Sequence, residues 1–220
     1  MRFNIAIDGP SAAGKSTIAD LLAEKLGYNH LDTGAMYRAV AYKAIKQNIP
    51  FDEEDKIVEM IDNMDLEMMA DGRVILDKED ISDSIRTDEI SMGASNVSKL
   101  KGCRTALVAM QQRICKDGGY ILDGRDIGTV VLKDAPVKIY MVASPEARAQ
   151  RRMLQNQEKG LEADYETILE DIKKRDYQDM HREISPLTKA EDAVEIDTSD
   201  MTIDEVVERV LEIIAEKTGA

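Results

Sequence analysis

The 220-residue chain predicts an α/β fold, with a parallel five-stranded sheet and helices on both faces. Three observations predict it. Short apolar runs alternate with amphipathic helical stretches. The first run ends in a glycine-rich turn that opens a helix. No internal repeat or low-complexity linker interrupts the alternation. Parallel neighbours need helical crossovers, which cover both faces of the sheet. Ligands then bind beyond the carboxyl ends of the strands.

The elements follow in order. Phe3–Asp8 (FNIAID) reads as a strand closed by Gly9-Pro10. Lys15–Leu26 reads as a helix, with Ile18, Leu21, Leu22 and Leu26 on one face and Gly27 as its stop. A short strand near Tyr28–Leu31 precedes a helix from about Ala35 to Lys46. Asp52–Asp65 is an acidic amphipathic helix, and Asp71-Gly72 between two apolar runs signals a hairpin. Two more helices are expected over Thr87–Lys99 and Gly102–Lys116. The main sheet resumes with strands at Tyr120–Asp123, Val137–Val142 and Ala193–Asp197. Helices at Ser144–Gln157 and Tyr165–Asp179 separate the last two strands. Ser144-Pro145 reads as an N-cap with proline at the first helical position. Thr202-Ile203-Asp204-Glu205 is a capping box for a last helix running to Lys217.

Composition sets the bounds. Hydrophobic residues make up 43%, which excludes disorder by composition, and no apolar run is long enough to span a membrane. The N-terminus lacks signal-peptide anatomy, so a cytoplasmic protein is expected. Cys103 and Cys115 have neither CxxC spacing nor a nearby histidine, so no disulfide framework is expected. A formal net charge of -14 argues against a nucleic-acid polymer as partner. Yet Arg148, Arg151, Arg152, Lys173, Lys174, Arg175 and Arg182 crowd one third of the chain. Such a cluster suits a small anion, while solvated helix faces are the plainer account of any single member.

Gly9-Pro10-Ser11-Ala12-Ala13-Gly14-Lys15-Ser16 matches G-x-x-x-x-G-K-[ST], with a strand before it and a helix after it. Glycines let backbone N–H groups converge on a phosphate, and the helix adds its positive end. Lys15 reaches the β/γ oxygens and Ser16 offers a hydroxyl to Mg²⁺. The motif points to ATP or GTP and leaves the acceptor open.

Acceptor candidates lie elsewhere. In Leu31-Asp32-Thr33-Gly34-Ala35-Met36-Tyr37-Arg38, Asp32 or Thr33 caps a helix, and Arg38 stands in its first turns. Arg148, Arg151 and Arg152 share one helix face at i, i+3 and i+4, a repulsive spacing unless an anion neutralises it. Gln155–Gly160 is polar, ends in glycine and suits a mobile flap. Arg175, Asp179 and Arg182 form a stripe at i, i+4 and i+7, although Arg175 and Asp179 could equally pair with each other. In Tyr120–Thr129 (YILDGRDIGT), two acids and an arginine surround two glycines where a strand should end.

The stretches IDGPSAAGKST (Ile7–Thr17), LDTGAMYRA (Leu31–Ala39), DGRDIGTVV (Asp123–Val131), APVKIYMVAS (Ala135–Ser144) and RRMLQ (Arg151–Gln155) occur together and in order. Together they resemble bacterial-type cytidylate kinases over essentially the whole chain. The resemblance implies one domain over 1–220, an NMP-binding region over about 33–102 with an inserted hairpin and helices, and a lid over about 149–164. It implies ATP-dependent phosphorylation of CMP and dCMP by a monomer, with Mg²⁺ and without nucleic acid or membrane.

Residue roles follow from the same resemblance. Gly9, Pro10, Ser11, Ala12, Ala13, Gly14, Lys15, Ser16 and Thr17 would hold the ATP phosphates, with Ser16 on the metal. Thr33, Tyr37 and Arg38 would lie beside the acceptor phosphate. Ser95, Arg104 and Asp126 would read the cytosine. Arg125 and Arg175 would hold the acceptor phosphate, and Asp179 and Arg182 its sugar, with Arg182 also reaching the base. Arg148, Arg151 and Arg152 would belong to the lid over ATP. Catalysis would fall to Lys15, Arg125, Arg148, Arg152 and Arg175. His30 and His181 form no catalytic or metal pattern. Asp123 could assist Mg²⁺ indirectly. The alternatives are another small-molecule P-loop kinase, with a UMP, nucleoside or shikimate acceptor, a GTPase-like switch, or a structural module.

Overall fold

A computed structural model of the chain describes residues 2–69, 71–158, 160 and 163–219. Strand β1 (Ile5–Asp8) turns into helix α1 (Lys15–Leu26), and β2 (Asn29–Asp32) passes directly into α2 (Thr33–Lys46) and then α3 (Glu54–Asp62). A small antiparallel sheet follows, made of β3 (Leu66–Met68), β4 (Val74–Leu76) and β5 (Glu79–Asp80). After it come a 3-10 turn at Ser84–Arg86, α4 (Asp88–Val97) and α5 (Lys101–Ile114). Strand β6 (Tyr120–Gly124) ends in a π-helical turn, Ile127–Val131. The chain finishes with β7 (Val137–Val142), α6 (Pro145–Glu158), α7 (Tyr165–His181), β8 (Val194–Asp197) and α8 (Ile203–Thr218).

The main sheet has the order β2-β6-β1-β7-β8, and every pairing is parallel. Its two faces feed separate cores. Ile5, Ile7, Ile121 and Ile139 pack with residues of α1 and α8, while Ala6, Leu31 and Leu122 pack with α2, α5 and the inserted region. Successive side chains of a strand point to opposite faces, so both sets must be apolar. Burying one such isoleucine contributes roughly 1.5–3 kcal/mol.

The expected five parallel strands are all present. The insert holds a strand that the sequence reading omits. Asp77 and Lys78 both adopt positive φ, 50° and 72°, and carry the chain from β4 into β5. This tight turn has no glycine to announce it; Asp77 is held instead by Lys43 Nζ at 2.7 Å and by the Asp65 N–H at 3.0 Å. The Asp71-Gly72 turn is one residue longer than a two-residue hairpin, because Met69 N–H donates to the Arg73 carbonyl at 2.9 Å. Gly72 supplies the left-handed φ of 83° there.

The expected flap is also different. Gln155–Glu158 form the end of α6, since glutamine and glutamate are good helix formers. Gly160, at φ 69°, then breaks the path. Lys159, Leu161 and Glu162 of the expected lid lie outside the described residues.

Candidate active site

Strands β1 and β6 are neighbours, so their carboxyl ends bring Gly9 and Gly124 to one edge of the sheet. At Gly9 the φ is 152° and an added Cβ would meet the Met141 carbonyl oxygen at 2.1 Å, so only glycine fits between β1 and β7. Gly14 caps α1 in the left-handed region, with no side-chain hydrogen bond to the helix start. The first N–H groups of α1 therefore lack a side-chain partner and suit an anion.

Lys15 is buried and donates from Nζ to the Pro10 carbonyl at 2.8 Å. Burial, aided by the nearby Arg125, pulls its pKa down to about 7 against the opposing pull of Asp123 and Asp8. Ser16 Oγ donates to Asp123 Oδ2 at 2.8 Å. Thr198 Oγ1 contacts the Ala13 carbonyl at 3.4 Å.

The row of arginines on α6 resolves differently from its sequence reading. Arg148 is buried and its charge is met inside the protein: Asp176 Oδ1 and Oδ2 accept from Nη1 and Nη2 at 2.9 and 2.5 Å. Arg148 Nη1 also donates to the Ser11 carbonyl at 3.2 Å, which braces the loop. Arg151 donates to the Thr198 carbonyl and, at 3.3 Å, to Thr198 Oγ1. Only Arg152 of the three is exposed. Like charges at this spacing are tolerated because two of them already have oxygen partners.

The opposite side gathers unsatisfied guanidinium groups. Arg38 pairs with Asp32 at 2.7 Å, while its Nε is buried without a partner among the described residues. Arg175 Nε is likewise buried and unpaired among the described residues. Burial, with Arg125, Arg152 and Arg38 adding like charge, pulls the Arg175 pKa down to about 10. Arg125 Nε donates to Asp179 Oδ2 at 2.8 Å, so Asp179 pairs with Arg125 and not with Arg175. Burial opposes the charge on Asp179, but Arg125, Arg175 and Arg182 together hold its carboxyl below the usual range.

Asp126 lies buried between two arginines. Arg104 Nη2 donates to Asp126 Oδ2, and Arg182 Nη2 stands 3.9 Å from Oδ1. That Arg182 nitrogen is buried and without a hydrogen-bond partner among the described residues. The Arg104 guanidinium lies 5.6 Å from the Tyr37 ring centroid, and Arg104 Nη1 donates to the Ser98 carbonyl at 3.4 Å. Ser95, half-buried on α4, contributes its carbonyl to Ser98 Oγ at 2.8 Å. Thr33 is buried and spends its hydroxyl proton on the Asp123 carbonyl at 2.7 Å, so it offers a phosphate no proton in this arrangement.

Sequence reasoning missed two residues here. Asp8 ends β1, and its two carboxylate oxygens accept the N–H groups of Ile127 and Gly128 at 2.8 and 2.7 Å. It thereby fixes the turn that carries Arg125 and Asp126. Burial pushes its pKa up to about 6 even against those two bonds. Its position at a strand end before a glycine was the available signal. His30 Nε2 lies 2.8 Å from Asp123 Oδ1, and its Nδ1 lies 2.6 Å from Asp20 Oδ1. Burial would lower its pKa, but bonds to both carboxylates outweigh this and push it to about 10. His30 gave no local signal, because Asp123 is 93 residues away in sequence. His181 stacks on Tyr177 with ring centroids 4.1 Å apart and stays exposed.

Gly124 and Gly128 serve by proximity and not by bending the chain, since neither has positive φ. A Cβ at Gly124 would meet Ile127 Cδ1 at 2.7 Å and Thr33 Oγ1 at 2.8 Å. Cys103 and Cys115 are both buried and free. None of the described helices is long and apolar enough to cross a membrane.

Comparison with known proteins adds the family. The family model for cytidylate kinase matches residues 5–216. The cytidylate kinase of Caldicellulosiruptor saccharolyticus is 51% identical over 221 residues, covering 99% of this chain and 98% of that one. The cytidylate kinase of Bacillus subtilis (strain 168) is 47% identical over 220 residues, with 99% and 98% covered. Among solved structures, an uncharacterized protein from Eubacterium ventriosum matches with a TM-score of 0.51 at 15% identity, covering 98% of this chain and 99% of that chain. The shikimate kinase from Bacteroides thetaiotaomicron matches with a TM-score of 0.50 at 10% identity, covering 96% and 98%. These two likenesses speak to the fold alone. A family model that runs from β1 into α8, together with close relatives aligned over nearly their whole length, shows that the chain belongs to the cytidylate kinase family.

Proposed function

We propose that the protein transfers the γ-phosphoryl group of ATP to the phosphate of CMP or dCMP. One observation carries the chemistry: the uncapped helix start holds Lys15 with Arg125 and Arg175 as charged neighbours, and the Nε atoms of the half-buried Arg38 and Arg175 are buried without partners among the described residues. Buried donors left unpaired cost free energy, and an anionic phosphate would satisfy them.

The reaction needs positioning and charge more than proton transfer. The second pKa of a phosphate monoester is about 6, so the acceptor is already mostly ionised at neutral pH. Two phosphates repel. In this reading Lys15 and the loop Gly9–Thr17 take the donor, while Arg38, Arg125 and Arg175 take the acceptor. Arg148 braces the loop at the Ser11 carbonyl, Arg151 holds Thr198, whose hydroxyl contacts the Ala13 carbonyl, and Arg152, exposed on α6, is the member left to reach the transferring group. Tyr37, Arg104, Asp126 and Arg182 frame the base, with Ser95 beside them on α4. A carboxylate accepts from the exocyclic amine of cytosine, and Asp126 is the buried carboxylate available there. Asp179 acts through Arg125 and near the sugar.

The donor set fits Mg²⁺. Ser16 Oγ and the Asp123 carboxylate are hard oxygen donors 2.8 Å apart at the helix start. Among the described residues no group of three or more His, Cys, Asp and Glu gathers to hold a metal. When bound, the ion neutralises phosphate charge. The region over about 33–102 would close on the nucleoside monophosphate, and the segment over about 149–164 on ATP, excluding water. A cytoplasmic monomer completes the reading, and sedimentation tests the monomer.

A coupled assay with CMP, dCMP, UMP and AMP is the test. CMP and dCMP should give the highest kcat/KM. UMP or AMP matching CMP would refute the assignment.

A further inference from the structure

We infer that His30 is a positioning residue for the metal side of the phosphate-binding loop, holding the Asp123 carboxylate in the orientation that grips Ser16. The inference rests on the reading that this loop takes ATP with Mg²⁺. Its basis is a closed ring of polar contacts. Ser16 Oγ donates to Asp123 Oδ2 at 2.8 Å, and His30 Nε2 lies 2.8 Å from Asp123 Oδ1. His30 Nδ1 lies 2.6 Å from Asp20 Oδ1. Asp20 and Ser16 stand four residues apart on α1, so the ring leaves one helix, crosses β6 and β2, and returns to the same helix face.

Both ring nitrogens face carboxylate oxygens, so each needs a proton to make its bond. His30 therefore stands as a two-armed donor. One arm fixes Asp123 Oδ1 and leaves Oδ2 to Ser16; the other is anchored on Asp20, an exposed residue. Asp123 itself is buried and sits at the end of β6. A carboxylate held at only one oxygen can rotate about its last torsion. One held at both oxygens keeps its plane, and so keeps the serine hydroxyl aimed.

A purely structural pin between strands is the competing account. The backbone already supplies that pin, because β2 and β6 pair in register from Asn29↔Tyr120 to Asp32↔Asp123. What the backbone does not supply is the orientation of one carboxylate against Ser16. Partners of this kind, one bond removed from a metal-binding group, typically change metal affinity 10–100-fold when lost.

The test measures ATP binding by calorimetry across a range of Mg²⁺ concentrations, without acceptor, so that no turnover occurs. Two variants separate the accounts. His30→Asn keeps a donor near the Nδ1 position, toward Asp20, but falls short of Asp123. His30→Gln places its amide near the Nε2 position and keeps the bond to Asp123. The inference expects the Mg²⁺ needed for half-maximal ATP affinity to rise about tenfold in His30→Asn. It expects His30→Gln to recover most of that loss, with CMP affinity unchanged in both. Wild-type Mg²⁺ dependence in His30→Asn, even with a lowered melting temperature, leaves a structural pin only and overturns the inference. Equal defects in the two variants overturn it as well. If the wild-type protein itself binds ATP without any Mg²⁺ dependence, the parent reading of the metal falls, and this inference falls with it.

Discussion

Arg125 on the turn after β6 donates from Nε to Asp179 on α7, at 2.8 Å across 54 residues of sequence. This bond ties the sheet edge to the helix that carries Arg175 and ends at its C-cap, Arg182. It also fixes the plane of a guanidinium whose Nη1 donates to the Gly124 carbonyl at 3.4 Å. Asp179→Asn should therefore weaken use of CMP without touching ATP binding. Losing a charged hydrogen bond costs about 1.5–3 kcal/mol, so kcat/KM for CMP should fall roughly 10- to 100-fold. Steady-state kinetics against CMP decide the matter. A change within twofold would show that Arg125 needs no help from Asp179.

Lys15→Ala should abolish turnover while the fold survives. Among the described residues the lysine makes a side-chain hydrogen bond only to the Pro10 carbonyl, so little of the core depends on it. Far-UV circular dichroism should match the wild type, and CDP formation should drop to the detection limit. Appreciable turnover would remove Lys15 from the proposed donor site.

Asp126 calls for a milder variant than alanine. Removing the carboxylate would leave Arg104 and Arg182 facing each other in a buried site, at a cost of about 3–5 kcal/mol. Asp126→Asn keeps the volume and one acceptor oxygen, but removes the charge and replaces the other oxygen with an NH₂ donor that repels the cytosine amine. The ratio of kcat/KM for CMP over UMP should fall about 10- to 100-fold, the worth of one charged hydrogen bond. An unchanged ratio would falsify the base-reading role.

Asp8 predicts a pH dependence of stability. Its folded pKa is raised from 3.8 to about 6 by burial, so between those values the folded state keeps a proton that the unfolded state has lost. Stability must then fall as pH rises from about 4 to about 6 and level off above, by at most about 3 kcal/mol from this group. Comparing wild type with Asp8→Asn by urea unfolding cancels the other carboxylates. The wild-type advantage should shrink across that window. If it grew instead, the two backbone bonds from Ile127 and Gly128 would outweigh burial.

Legibility in the sequence varied by residue. Lys15–Leu26 and Val137–Val142 were readable to the residue, because helical periodicity and a closing glycine, or an apolar run, are local signals. The turn at Asp77-Lys78 was not, because its positive φ values are imposed by Lys43 and Asp65 from outside the hairpin. At the site, the residue types were legible and their partners were not. Arg148 was read as awaiting an anion, and it holds Asp176. Arg175 and Asp179 were allowed to pair, and Asp179 chose Arg125.

By itself the sequence determined a parallel α/β sheet, the phosphate loop between its first strand and helix, and a surplus of arginine beside it. These depend on interactions within a few residues, which spacing and turn chemistry record. Only the tertiary structure decided that His30 meets Asp123, that Asp8 holds the turn carrying Arg125, and that Asp126 lies between Arg104 and Arg182. Those meetings follow from the strand order β2-β6-β1-β7-β8, which brings distant strand ends to one edge. Strand order is a property of how whole elements bury their apolar faces together, and no local pattern states it.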